Sequence, residues 1–184
     1  MNPRSIWSLI ATVAIAFAAF TADGATITAS SASLTDVSNA VVSASHGDTV
    51  RIPAGSATWD NHLYVTKALS IIGAGTNSTH LTRTNGLMLW LRPSTNLPIR
   101  VSQIQFTGGW NDEIIYIDAK RETDASRVTV SSFRVDRCKF NRGKRAIWPL
   151  GWAYGVVDHC TFTDCNIAVS PQGDNSAAWA RAEA

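Results

Sequence analysis

Cysteine, histidine and charged side chains are all scarce in this chain of 184 residues, which has three Cys, four His and 16% charged residues. No His or second Cys pair stands at the spacing of zinc ligands, so the sequence predicts no metal site. The formal net charge of +2 is too small to indicate a polyanionic partner, and we expect no nucleic-acid binding. Gly73-Ala74-Gly75 lacks the lysine and helix that follow a phosphate-binding loop. These absences leave architecture as the main signal.

The N-terminus has the pattern of a secretory signal peptide. Arg4 precedes an apolar run of 15 residues, Ile6–Phe20, and small residues lead to a predicted cleavage site before Ala25. A membrane-spanning helix needs a longer run, of about 18 residues or more. The sequence therefore predicts a signal peptide at 1–24 and one domain at 25–184. We expect a monomer that is secreted, periplasmic or at the cell surface, with no membrane contact after cleavage.

One short pattern occurs three times in the second half of the chain. It places an apolar residue first, a second after a gap of two, and Phe after a gap of one. The copies are Val101–Phe106, Val135–Phe140 and Val157–Phe162. A flat strand alternates between its faces, so it would not turn all three apolar side chains the same way. The pattern predicts a bend at the third position (Gln103, Arg137 and His159), which is typical of a β-solenoid.

The preceding segment predicts a cap for the first coil. Ser33 and Asp36 form a variant capping box, and apolar residues then recur at helical spacing. Those residues are Leu34, Val37, Val41 and Ala44. Such a short amphipathic helix would cover the open strand edges of a solenoid. From Leu69 onward, short apolar stretches in two interleaved series predict about four coils with parallel neighbouring strands.

The three cysteines leave their pairing open. Cys138 and Cys160 occupy the same position of the repeat, so we expect them to stack inside the coil as small apolar residues. A secretory route permits disulfides, but Cys160 and Cys165 are equally near in sequence. Either pair, or neither, forms a disulfide.

Three features together resemble the right-handed parallel β-helix, or pectin-lyase-like, superfamily that includes the pectate lyases. They are Gly47–Gly55 after the helix, Leu69–Gly75, and the Val-x-x-[Ile/Cys]-x-Phe repeats. The resemblance covers Ile27 to about Ser170 and implies an all-β fold, a right-handed parallel β-helix solenoid with a short N-terminal capping α-helix. It also implies a carbohydrate groove along one sheet. Members usually have more coils, so we expect this chain to be the N-terminal part of a longer, C-terminally truncated sequence.

Asp136, Asp158 and His159 are the candidate catalytic residues. The two acids share a repeat position, so we expect their carboxylates roughly 5 Å apart on the outside. Carboxylates at that distance serve retaining glycosidases, and oxygen ligands also bind calcium, which the resemblance implies as a cofactor of the family's lyases. His159 lies beside them as a candidate base. The other interpretation is that both acids are surface ion pairs with Arg137, Lys139 or His159, and that His159 is a turn residue at the bend.

Trp110, Trp152, Tyr154 and Arg145 are the candidate substrate-binding residues. The aromatic residues fall in loops or strand ends, where exposed rings stack on sugars, or else they pack over the coil surface. Arg145 ends a basic run that would attract an acidic polysaccharide. The sequence predicts a protein that binds or degrades polysaccharide, as a lyase or a glycoside hydrolase if it is an enzyme. The alternative is a non-catalytic adhesion or surface-structure protein.

Overall fold

The computed structural model of the protein describes residues 24–124, 126–173 and 181–182. The predicted signal peptide, apart from Gly24, lies outside these ranges. The helix α1 is Leu34–Ser43, and the strands are β1 (Thr26–Thr28), β2 (Thr49–Ile52), β3 (Gly55–Thr58), β4 (Leu63–Val65), β5 (Ser70–Gly73), β6 (Thr79–Thr82), β7 (Leu89–Leu91), β8 (Ile99–Ser102), β9 (Gln105–Thr107), β10 (Glu113–Asp118), β11 (Val130–Asp136), β12 (Lys139–Leu150), β13 (Ala153–Asp158), β14 (Thr161–Val169) and β15 (Arg181–Ala182).

The strands form two sheets in which neighbouring strands run parallel. Sheet 1 has the order β1-β2-β5-β8-β11-β13-β15. Sheet 2 has the order β3-β6-β9-β12-β10-β7-β4, and β14 pairs with β12 as well. The described residues therefore form a mostly β fold with parallel sheets and one short helix, which confirms the all-β prediction.

Strand β12 joins two runs of shorter strands in sheet 2. Its first residues, Lys139 to Asn141, pair with β9, and its later residues, from Arg145 to Leu150, pair with β10. Within β12, Arg142 has a φ of 58°, and the matching bend in β14 is at Asp164, where φ is 54°. These left-handed residues turn the strands, so sheet 2 is curled rather than flat.

The chain alternates between the two sheets. Among the described residues, five strands of sheet 1 (β2, β5, β8, β11 and β13) are each followed directly by a strand of sheet 2. We call each such unit, together with the chain up to the next strand of sheet 1, a pass. The described residues thus form five passes, where the sequence pattern predicts about four coils. The first pass gives little signal in the sequence, because its second strand, Gly55–Thr58, carries no large apolar residue.

The bend of the three-copy pattern lies at its predicted position. Gln103, Arg137 and His159 have φ angles of 61°, 51° and 52°. This left-handed conformation costs a residue with a side chain roughly 1–2 kcal/mol. It lets one pattern supply inward side chains to a strand of sheet 1 and to the next strand of sheet 2.

Phenylalanine rings of successive passes stack inside the fold. The rings of Phe106 and Phe140 have centroids 5.4 Å apart and planes 15° apart, and those of Phe140 and Phe162 are 5.1 Å and 7° apart. Their strands are parallel and in register at these positions. In sheet 1 the corresponding in-register column is Val50, Ile71, Val101, Val135 and Val157. The predicted stacking of equivalent side chains is confirmed.

Helix α1 forms where the capping pattern predicts it. The Ser33 Oγ accepts a hydrogen bond from the Asp36 N–H at 3.2 Å, as an N-cap does. At the other end, the Lys67 ammonium donates to the carbonyls of Val41, Val42 and Ala44 at 2.5–3.1 Å. The apolar face packs against β1, β2 and β4, so the helix covers the first pass.

Candidate functional site

Four aromatic side chains lie in register on the outer face of sheet 2. Strands β4, β7, β10 and β12 place Tyr64, Trp90, Tyr116 and Trp148 at equivalent positions. The residues on either side of each aromatic point inward and are buried, with Pro149 taking the last inward position. Alternation along a strand then requires the aromatic residues to point outward. We call these four residues the aromatic row.

The rings of the aromatic row contact one another. Their centroids are 5.1 Å apart from Tyr64 to Trp90, 5.8 Å from Trp90 to Tyr116, and 4.6 Å from Tyr116 to Trp148. The Arg145 guanidinium lies 4.2 Å from the centroid of Trp148. Ring faces inside the row are therefore largely occupied by neighbours. Tyr64, at the opposite end, is 43% exposed.

The carboxylate of Asp118 organises the polar atoms beside the aromatic row. It accepts hydrogen bonds from the Trp90 indole at 3.2 Å and from the Tyr116 hydroxyl at 3.1 Å. The Arg127 guanidinium donates to the same carboxylate, and Arg121 lies 3.7 Å from it. Asp118 itself is buried. A buried carboxylate of this kind is stabilised by charge-assisted hydrogen bonds, and it fixes the orientation of two ring edges.

Tyr116 is held in its protonated form. Burial is the largest cause that raises its pKa to about 12, and the negative charge of Asp118 adds to the effect. The hydroxyl therefore remains a hydrogen-bond donor at neutral pH.

Two further cation–aromatic pairs flank strands β10 and β12. Arg142 lies 5.5 Å from the ring centroid of Trp110, just before β10, and Lys120 lies 5.1 Å from that of Trp152, just after β12. Trp110 is 56% exposed, the highest value among the exposed aromatic residues of the described ranges. Cations near aromatic rings are stabilised by the ring quadrupole. We call the surface formed by these two pairs, Asp118, and the Tyr116–Trp148 end of the row the β10–β12 face.

Three of the four predicted substrate-binding residues lie on or beside strands β10 and β12, with Trp110 and Trp152 near opposite ends of this strand pair. Trp110, Trp152 and Arg145 all lie at the β10–β12 face, and Arg145 also lies 3.4 Å from Glu113. Tyr154 lies instead on β13 in sheet 1 and is 44% exposed.

The candidate catalytic residues lie at the ends of two sheet 1 strands: Asp136 is the last residue of β11, Asp158 is the last residue of β13, and His159 follows it. Asp136 and Asp158 are register partners on β11 and β13, as the repeat predicts. The Arg100 guanidinium donates to both carboxylate oxygens of Asp136 at 2.7 Å, and the Ser102 hydroxyl donates at 3.1 Å. Asp136 is fully buried, which differs from its expected position on the outer surface.

Asp158 has a similar set of partners. Arg134 donates to its two carboxylate oxygens at 2.9 and 2.7 Å, and the His159 Nδ1 lies 2.7 Å from one of them. Each Asp thus has a bidentate Arg from the strand that precedes it in sheet 1. The in-register Arg100 and Arg134 make this a diagonal ladder of ion pairs.

Both carboxyl groups are held ionised. Burial alone would raise the pKa of Asp136, but the hydrogen bonds and positive charge of Arg100, the Ser102 hydrogen bond and the charge of Arg134 together outweigh it and lower the pKa. For Asp158, the Arg134 hydrogen bonds are the main cause that lowers the pKa to about 2. A general acid needs a raised pKa instead. The arrangement suits structural ion pairs, and the catalytic role of Asp136, Asp158 and His159 stays a prediction.

Sequence reasoning missed Tyr64, Trp90, Tyr116 and Asp118. The available signal was an aromatic residue between two inward-facing apolar residues, as in Leu89-Trp90-Leu91. This triplet recurs at spacings of 26, 26 and 32 residues along the aromatic row. A single such triplet is common, so its meaning depends on the long-range register of the strands.

The described ranges contain neither a metal-binding cluster nor a membrane-spanning helix. No group of three or more His, Cys, Asp or Glu side chains there could hold a metal ion. In the same part of the chain, no helix is both long enough and apolar enough to cross a membrane.

Comparison with known proteins finds no matching family model, no matching curated protein and no matching solved structure. The site is therefore interpreted from its own geometry.

Proposed function

We propose that this chain is a secreted polysaccharide-binding protein, built as a right-handed parallel β-helix of the pectin-lyase-like superfamily. The β10–β12 face is its glycan-binding surface. The observation that carries the proposal is the cluster of aromatic rings and cations on one outer face of a parallel sheet.

Several features of the fold support a β-helix. The chain alternates between two parallel sheets in five successive passes, and equivalent residues stack in register. Left-handed corners recur at the same repeat position. A helix covers the first pass, as a solenoid end requires. The sequence resemblance to the superfamily and the leader-like N-terminus support a secreted, periplasmic or cell-surface location.

The chemistry of the β10–β12 face suits sugars. Exposed indole rings such as that of Trp110 offer an apolar surface to the C–H faces of sugar rings. Arg142 and Lys120, already beside indole rings, have donors for sugar hydroxyls or carboxylates. The Tyr116 ring is oriented by its hydrogen bond to Asp118, so the ring is preorganised rather than mobile.

Binding fits the geometry better than catalysis. The two predicted catalytic carboxylates are engaged by arginines, their pKa values are lowered, and they lie on the other sheet. Calcium is not part of the proposal, because both carboxylates are already neutralised by guanidinium groups.

One observation favours a second function, that of a non-catalytic structural protein of the cell surface. The ring faces inside the aromatic row are occupied by each other and by Arg145. Such a row stabilises neighbouring passes whether or not a ligand binds.

Affinity electrophoresis in gels that contain a soluble neutral glucan or an acidic polysaccharide distinguishes the two functions. We expect at least one polymer to retard the wild-type protein, and Trp110→Ala to weaken that binding about tenfold, the equivalent of roughly 1.4 kcal/mol. Val42→Ala is the matched control, because Val42 is 75% exposed on α1 and lies outside the β10–β12 face. Unretarded migration of the wild type in a broad panel of polymers would favour the structural function.

A further inference from the structure

Two of the three cysteines face each other across neighbouring passes. Residues on both sides of them are register partners, since Asp136 pairs with Asp158 and Lys139 pairs with Thr161. Cys138 and Cys160 therefore lie opposite each other at one strand spacing, about 4.8 Å. The Thr161 N–H also donates to the Cys138 carbonyl at 2.9 Å. Disulfides join Cα atoms roughly 4.4–6.8 Å apart, so this spacing is suitable.

The two thiols have matching orientations. Each follows a left-handed corner residue, and each contacts the carbonyl oxygen two residues earlier: Cys138 with Asp136 and Cys160 with Asp158, both at 3.3 Å. Cys138 is buried in the core, and Cys160 is partly exposed. The neighbouring Cys160 thiol raises the pKa of Cys138, as does burial, and the Cys138 thiol lowers the pKa of Cys160.

The third cysteine has no thiol opposite it. Cys165 lies in β14, and its register partner in β12 is Gly143. Its sulfur instead contacts the carbonyl oxygens of Phe140 and Thr163, at 3.7 and 3.6 Å. The stretch from Thr161 to Asp164, which belongs to the same strand, separates it from Cys160.

We propose that Cys138 and Cys160 are a disulfide site that links two neighbouring passes, with Cys165 left as a free thiol. Both cysteines are thiols in this structure. The inference is independent of the proposed glycan binding, because it rests on sheet register and core packing alone.

The oxidant for this step is a small-molecule disulfide such as oxidised glutathione. The Cys160 thiolate, which is the more accessible, attacks one glutathione sulfur and releases a first glutathione thiolate. The Cys138 thiolate then attacks the Cys160 sulfur of the mixed disulfide and releases a second glutathione. Two protein thiols lose two protons and two electrons, and one glutathione disulfide is reduced to two glutathione molecules.

The disulfide would close a loop of the chain between Cys138 and Cys160. Cross-linking restricts the unfolded chain more than the folded one, so the melting temperature should rise by roughly 5–10 °C for a loop and domain of this size.

The test uses the full chain carrying Cys165→Ser, incubated in its folded state with oxidised glutathione, then alkylated under denaturing conditions and digested. We expect mass spectrometry to find a peptide pair joined through Cys138 and Cys160, with no thiol left to alkylate. The melting temperature should rise on oxidation. The Cys160→Ser, Cys165→Ser double variant should show no such rise, and it leaves the buried Cys138 in place, so that folding is least disturbed.

The wild-type protein supplies the deciding comparison under the same treatment. Alkylation of Cys165 alone supports the proposal. A cross-link that includes Cys165, a glutathione adduct that persists on Cys160, or three free thiols after oxidation of the folded protein would each overturn it.

Discussion

Phe140 occupies the middle of the inward phenylalanine column, with Phe106 on one side and Phe162 on the other. It is fully buried, whereas Phe162 is partly exposed at the end of the column. We expect Phe140→Ala to lower the free energy of unfolding by about 3–5 kcal/mol, because it leaves a cavity and removes the stacking contacts with both neighbouring rings. Phe162→Ala should cost less, and urea denaturation of both variants measures the difference. Equal losses would contradict the column as the centre of the core.

The Arg134–Asp158 pair gives a prediction for acid stability. The pKa of Asp158 is lowered to about 2 in the folded protein, against about 3.9 in an unfolded chain. A lowered folded-state pKa contributes stability above the unfolded pKa, and that contribution is lost as the pH falls from about 4 to about 2. Asp158→Asn should lack this part of the pH dependence. Urea midpoints of wild type and variant between pH 5 and pH 2 should therefore converge on acidification, and a constant difference would refute the argument.

At the level of elements, the corners decide how one strand leads into the next. Gln103 has a φ of 61°, whereas Gln105, two residues on, lies in strand β9. Glycine adopts the left-handed conformation without steric cost, but it also increases the entropy of the unfolded chain. We expect Gln103→Gly to raise stability by roughly 0.5 kcal/mol, and the matched Gln105→Gly to lower it by about 0.5–1 kcal/mol. Thermal denaturation compares them, and a loss at both positions would mean that Gln103 is not strained.

Helix and strand positions were largely predictable because they depend on local patterns. Strands β2 and β10 begin and end as the alternation of Thr49–Ile52 and the run Glu113–Asp118 indicate. Helix α1 begins after the predicted N-cap, Ser33. By contrast, β3 was not predicted, because its residues are small and polar and its pairing with β6 supplies the order.

At the level of the whole molecule, passes contact mainly their neighbours, so stability should be close to a sum of nearest-neighbour terms. Val50 and Val157 lie in strands β2 and β13, with three strands of sheet 1 between them, or roughly 19 Å at 4.8 Å per strand. We expect the effects of Val50→Ala and Val157→Ala to add within about 0.5 kcal/mol. Phe106→Ala and Phe140→Ala, whose rings touch, should show a coupling of about 0.5–3 kcal/mol. Double-mutant cycles in urea measure both pairs, and equal coupling in the two would rule out the nearest-neighbour description.

The candidate functional site depends on contacts between residues that are distant in sequence. Trp110, Trp152 and Arg145 were predictable as residue types that bind sugars, but their placement along one strand pair follows from the pairing of β10 with β12. The sequence does not indicate that Asp118 accepts hydrogen bonds beside the aromatic row, because its partners Trp90 and Arg127 come from another strand and a loop. Asp136 was expected at the surface, yet it is buried, and Arg100 and Ser102 of the neighbouring strand donate hydrogen bonds to its carboxylate.

The sequence by itself determined the mostly β character of the protein, its capping helix, and the position of the bend in each copy of the repeat. Those features depend on side-chain alternation, helix capping and backbone sterics over a few residues. Tertiary structure alone decided which outward side chains meet, which acids become buried ion pairs, and which cysteines face each other. Each of these depends on the register between strands some 20 to 35 residues apart, as at Asp136 with Asp158 and Phe106 with Phe140. Only the packing of the whole chain sets that register.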